Sequence, residues 1–145
     1  MKTVDTYEYV SMLRELVEGG HEVSIPVKGS SMSPFLRDGL DTVYFKAPDR
    51  ALKIGDIVFF QRRNGQYILH RICKIEGDCF YVIGDAQNEP EGPIAREQIF
   101  GVVTKVARNG KFITAGNLRW ELFAKLWPRI VPLRPKIRRI YGAIK

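Results

Sequence analysis

The spacing of apolar positions along this chain changes once. Between residues 5 and 18, Tyr9, Val10, Leu13, Leu16 and Val17 recur at helical intervals and share one face. Asp5 or Thr6 can cap such a helix, and Gly19-Gly20 ends it. From residue 22 the apolar residues come in short runs, which predict strands at 22–28, 40–46, 57–61, 66–75, 79–84, 99–107 and 111–115. Asp38-Gly39, Asn64-Gly65, Gly77-Asp78 and Asn109-Gly110 supply turn chemistry between them. Residues 85–98 (DAQNEPEGPIAREQ) are polar and carry two prolines, so a long loop is expected there. Asn117 can cap a last helix over LRWELFAKLW, which Pro128 stops. The pattern predicts a mainly β protein. Its parts are an N-terminal amphipathic helix (1–21), an antiparallel, barrel-like β domain (22–116) and a C-terminal tail (117–145).

Composition narrows this picture. A chain of 145 residues, 45% hydrophobic and 27% charged, suits one globular domain. No apolar run is long enough to span a membrane, and Asp5, Glu8, Glu15 and Glu18 stand where a signal peptide needs basic and then apolar residues. A cytoplasmic protein, or one peripheral at a membrane surface, is expected. Cys73 and Cys79 are too few and too far apart for a metal set, and a hairpin turning at residues 76–78 would place Cys79 opposite about Ile75. Free thiols are expected, with no metal and no cofactor. Charge is distributed unevenly. Residues 1–118 hold 15 basic and 15 acidic side chains, whereas 119–145 hold eight basic residues against Glu121 alone, the whole +7 surplus. With Trp120, Phe123 and Trp127 among those cations, a peripheral contact with an anionic membrane through 117–145 is expected ahead of nucleic-acid binding.

The chemistry centres on VKGSSMSPFL (27–36), a loop with three serines between apolar strands. Turn-forming residues account for part of it. A hydroxyl becomes a nucleophile only beside a base and oxyanion donors. The chain has two histidines. His70, in QYILHRICKI, shares a strand face with Ile68 and Ile72, a setting in which a packed core residue is the commoner outcome.

Four segments in order (GSSMSP at 29–34, GDIVFF at 55–60, HR at 70–71 and IGDAQ at 83–87) resemble the signal peptidase I superfamily, which also contains the self-cleaving SOS-type repressors. The resemblance covers about residues 23–107. It implies Ser31, the serine before methionine, as nucleophile, with Ser30 and Ser33 as turn residues. It implies His70 as base, in the manner of the archaeal and endoplasmic-reticulum branch rather than the lysine-using branches. Histidine, with an ordinary pKa near 6.5, is already neutral at pH 7. A histidine base uses a carboxylate on its second nitrogen. Asp85 is the first candidate and Glu89 the second; Ala86 stands where the family has asparagine, and the further downstream aspartate is missing. Gly29 replaces a serine that assists the oxyanion in many members, which leaves that task to backbone N–H groups. The family's Gly-Asp turn after the serine is altered to Gly39-Leu40-Asp41, and the usual N-terminal membrane anchor is absent. The strand 23–27 is implied to pair with an extended peptide, with Ile25, Val27, Gly29, Met32 and Leu69 around it and Met32 filling an apolar slot. Pro26 suits such an edge.

Three functions are compatible with these residues. The first is a serine endopeptidase acting on a precursor or leader peptide through Ser31 and His70. The second is a repressor-type self-processing peptidase, disfavoured because only about 22 residues precede the β domain. The third is a catalytically inactive peptide-binding module of the same fold.

Overall fold

The computed structural model describes residues 6–28, 32, 35–87, 89–115 and 117–126. Helix α1 (Thr6–Glu18) precedes eight strands: β1 (Val23–Pro26), β2 (Thr42–Lys46), β3 (Ile57–Gln61), β4 (Tyr67–Glu76), β5 (Cys79–Ile83), β6 (Glu91–Ala95), β7 (Ile99–Arg108) and β8 (Lys111–Ile113). Helix α2 (Leu118–Glu121) then widens into a π-type turn over Leu122–Leu126. The strands form one antiparallel sheet in the order β1-β2-β7-β3-β4-β5-β6, with β8 also on β7. The sheet is open, ending at β1 and β6, so the expected barrel holds only loosely.

Each strand feeds two apolar clusters because successive side chains alternate. On one face Val10, Leu13 and Val17 of α1 meet Val43, Phe45, Phe59, Phe100, Val103 and Val106. Leu16 was expected there but is exposed; it lies about 90° round the helix from the centre of that stripe. On the other face Val58, Phe60, Ile72, Phe80, Val82, Ile94, Ile99 and Val102 form a second cluster. None of its members comes from a described helix; Leu52, Ile68 and Ile75 pack against it.

Two expectations need correction. Residues 85–98 are not one loop: they contain β6 and a 3-10 turn at Arg96–Gln98. Ile94 is the only large aliphatic side chain in β6, so alternation gives no signal. The strand is recruited by β5, and its position at the sheet edge makes the missing N–H of Pro93 harmless. The β4–β5 hairpin turns on Gly77-Asp78 alone, which pairs Glu76 with Cys79 and Ile75 with Phe80, one residue from the expected register. Cys73 and Cys79 form no disulfide, and the Cys73 thiol donates to the Tyr81 carbonyl at 3.4 Å.

The C-terminal helix belongs to the core. Phe123 is buried, with its ring 5.2 Å from that of Phe35, and Trp120 meets Phe35 edge-on at 6.0 Å. Gly55, at φ +100°, has the Ala124 backbone so close that any Cβ would collide with it. The rings of Trp120 and Phe123, expected at headgroup depth, are therefore committed to the protein's own interior. Trp127 and the rest of the tail lie outside the described residues.

Candidate active site

The β3–β4 register sets Val58 opposite His70 and Ile57 opposite Arg71, so these two neighbours project to opposite faces. His70 enters the second cluster with Ile68 and Ile72, as the strand pattern predicted. It is 3% exposed, its ring lies 6.2 Å from Phe60, and its buried Nδ1 has no hydrogen-bond partner among the described residues. Burial pushes its pKa down to about 4; Glu91 pulls it up and Arg62 pushes it down. The imidazole is thus neutral well below the pH expected from its ordinary value.

Asp85, the first candidate to orient His70, is engaged elsewhere. Its Oδ1 and Oδ2 accept hydrogen bonds from Arg71 Nε and Nη2, both at 2.8 Å. Arg71 is 2% exposed, and its Nη1 donates to the Gly55 carbonyl at 2.9 Å. Glu89 is exposed.

Sequence reading placed Glu91 near the missing aspartate but put Asp85 and Glu89 ahead of it. On β6 it stands opposite Val82, which stands opposite Ile72, so it shares the face of His70. Arg62 grips it through Nε–Oε2 at 2.8 Å and Nη2–Oε1 at 2.6 Å, and these hydrogen bonds hold its carboxyl below the usual carboxylate range. Its only sequence signal was a glutamate two residues past Glu89, inside a segment read as loop. Farther along this face, beyond Ile72, Asp56 is held by Arg50 at 2.8 and 3.0 Å.

Ser31 lies outside the described residues, as do Gly29, Ser30, Ser33 and Pro34, but the framework of their loop is described. Val27 N–H donates to the Asp41 carbonyl and Gly39 N–H to the Val27 carbonyl, both at 2.9 Å, tying the two stems together. The buried Asp41 carboxylate accepts from Arg108 Nε at 3.0 Å and Nη2 at 2.6 Å, and from Arg37 N–H at 2.8 Å. Arg108 Nη2 also donates to the Phe35 carbonyl. Burial alone would raise the pKa of Asp41; the Arg108 and Arg37 hydrogen bonds outweigh it and hold the group below its ordinary value. The altered Gly39-Leu40-Asp41 turn therefore supplies the anchor of the serine loop. Arg108, at the end of β7, escaped sequence reading because nothing local links it to residue 41. The Phe35 ring, just past that loop, lies 5.2 Å from the guanidinium of Arg71, the chain neighbour of His70.

Of the residues expected around a peptide, Ile25 is half-buried on the edge strand β1 and Leu69 is half-buried against the first cluster. Met32 is buried in the first cluster. Val27 is also a core residue, so its side chain faces inward rather than toward a peptide.

The Peptidase S24-like family profile matches residues 2–106, from the start of the chain into β7. The chain belongs to that family. Among curated proteins, none matches it significantly. The Peptidase S24-like region contains Ser31, His70, Asp85 and Glu91, and membership supports a peptidase-type or self-cleaving fold.

Proposed function

We propose that this chain is a serine endopeptidase of signal-peptidase-like type, cutting an extended precursor or leader peptide with Ser31 and His70. The observation that carries the reading is His70: a histidine kept neutral inside an apolar cluster, its buried Nδ1 without a partner among the described residues, in a Peptidase S24-like chain that has the Ser-Met segment. Ser31 Oγ attacks the scissile carbonyl carbon as its proton passes to His70, and the imidazolium then protonates the leaving amine. Water repeats the sequence on the acyl-enzyme and regenerates Ser31. Glu91, rather than Asp85, is the carboxylate that supports the imidazolium on this reading, because Asp85 is taken by Arg71. The outer edge of β1 receives the peptide as an added strand, beside Ile25.

The inactive binding module is the second reading, and the apolar surroundings of His70 favour it. Incubating the protein and Ser31→Ala with a peptide library, with products read by mass spectrometry, separates the readings. Cleavage by the parent and none by the variant is expected. Turnover by Ser31→Ala overturns the nucleophile, no product from either protein favours the binding module, and a change only in the chain's own mass identifies self-processing.

A further inference from the structure

The family match ends at residue 106, and the C-terminal helix lies beyond it. That helix is seated between two parts of the matched region. One is the stretch just past the serine loop. Met32, Phe35 and Leu36 are buried in the first cluster, and Leu36 N–H donates to the Met32 carbonyl at 2.9 Å, closing a turn. The other is Arg71, the residue after His70. Phe123 reaches both: its ring is 5.2 Å from that of Phe35 and 6.0 Å from the Arg71 guanidinium, which itself lies 5.2 Å from Phe35. Trp120, three residues earlier, meets Phe35 edge-on. The Ala124 backbone sits against Gly55, whose carbonyl accepts from Arg71 Nη1 and whose N–H donates to the Ile72 carbonyl at 2.8 Å. The π-type widening at Leu122–Leu126 falls at these contacts.

We propose that Phe123, assisted by Trp120, is a positioning residue of the peptidase: acting through Phe35 and Arg71, it fixes the segment that follows Ser31 against the strand that carries His70. The proposal rests on the Ser31 and His70 reading given above. The sheet explains why such a clamp is needed. Residues 32–36 lie between β1 and β2, whereas His70 and Arg71 lie on β4, and β7 and β3 separate β2 from β4. No strand ladder joins the two segments, so side-chain packing has to. A displacement of about 1 Å between reacting groups can cost about a hundredfold in rate. Truncating the Phe123 ring opens space into which Phe35 and the guanidinium can shift. The resulting fault is one of geometry rather than basicity, because His70 projects into the second cluster, on the face of β4 opposite to Arg71. Strand β1, the edge proposed to receive the peptide, takes no part in these contacts, so peptide affinity should be spared.

Steady-state hydrolysis of a peptide from the library, by the full chain and its variants, tests this. Phe123→Ala should lower kcat about ten- to a hundredfold and leave KM within about twofold. The acid midpoint of kcat/KM should stay at the parent value, since the surroundings of His70 are unchanged. Phe123→Leu, which refills most of the space, should recover most of kcat. Trp120→Ala, at a half-buried edge contact, should lose less than Phe123→Ala. Leu13→Ala truncates the same cluster from α1; it should lower the melting temperature and keep the kcat of the parent. Parent-like kcat in a folded Phe123→Ala, or an equal loss in Leu13→Ala, overturns the proposal and leaves the peptidase reading standing. Should a thermal melt show Phe123→Ala unfolded, parent-like kcat in Trp120→Ala overturns it instead. A displaced acid midpoint also overturns it, since the fault would then lie in the base. No product from the parent fails the peptidase reading, and this proposal with it.

Discussion

His70 and Arg71 are adjacent on β4 and almost equally buried, yet they are satisfied in opposite ways. Arg71 meets a full partner set: it donates two hydrogen bonds to Asp85 and one to the Gly55 carbonyl, and its guanidinium lies over the Phe35 ring. His70, one residue earlier, faces apolar side chains, and its Nδ1 has no partner among the described residues. Burying a polar group without a partner costs free energy, and a fold bears that cost where the group is used. Two buried polar neighbours thus divide into one that is paired on several sides and one that is set among apolar side chains. The division is made by the strand's alternation, which sends one toward Asp85 and the other away from it.

The largest expected effect separates these roles by activity. His70→Ala should lower kcat/KM by about two to four orders of magnitude, the usual worth of a general base, while the protein still folds. Wild-type turnover in that variant would remove His70 from the mechanism. Asp85→Ala strands a buried guanidinium and should destabilise the protein by about 3–5 kcal/mol in denaturant unfolding. A change under about 1 kcal/mol, near the worth of an exposed pair, would mean that the Arg71–Asp85 pair is not the strut described here.

Acid should expose the complementary weakness of His70. Its folded pKa of about 4 lies below the ordinary 6.5 of the unfolded chain, so between those values the unfolded state binds more protons. Stability from this group is complete above pH 6.5 and declines as pH falls toward 4, by about 3 kcal/mol at most. His70→Gln should unfold with a flatter pH dependence than the parent across that window; identical slopes would show that His70 is not desolvated. For the same reason the acid limb of kcat/KM should rise near pH 4–5, below the 6–7 of an ordinary histidine.

The smallest effect concerns the field around His70. Glu91→Gln removes the charge that raises its pKa and should shift the midpoint downward by less than about one unit, whereas Arg62→Gln should shift it upward. Proton NMR titration of the His70 ring, distinguished from that of the exposed His21, reads both shifts without any substrate. Equal midpoints in all three proteins would remove Glu91 from the site.

Much of this was legible in the linear chain. Helix α1, the strands with two-residue turns and the shared face of Ile68, His70 and Ile72 follow from period and turn chemistry, which are local. The Ser-Met and His-Arg segments are local as well, and they pointed to the superfamily that the family match over residues 2–106 supports. What stayed hidden depends on residues far apart in the chain. Strand β6 exists because β5 offers it a ladder, and no alternation within 85–98 announces it. The partnership of Asp41 with Arg108 spans 67 positions, and that of Asp85 with Arg71 spans 14. Charge counting fixed the sign and place of the basic tail, but whether Phe123 faced lipid or core was settled by the groove beside Gly55. By itself the sequence determined the periodicities, the reactive side-chain types and the charge balance, because each is a property of neighbouring residues. Only the tertiary structure decided which carboxylate meets which cation and which buried nitrogen has no partner among the described residues, because ion pairing and desolvation depend on distances that the folded sheet creates.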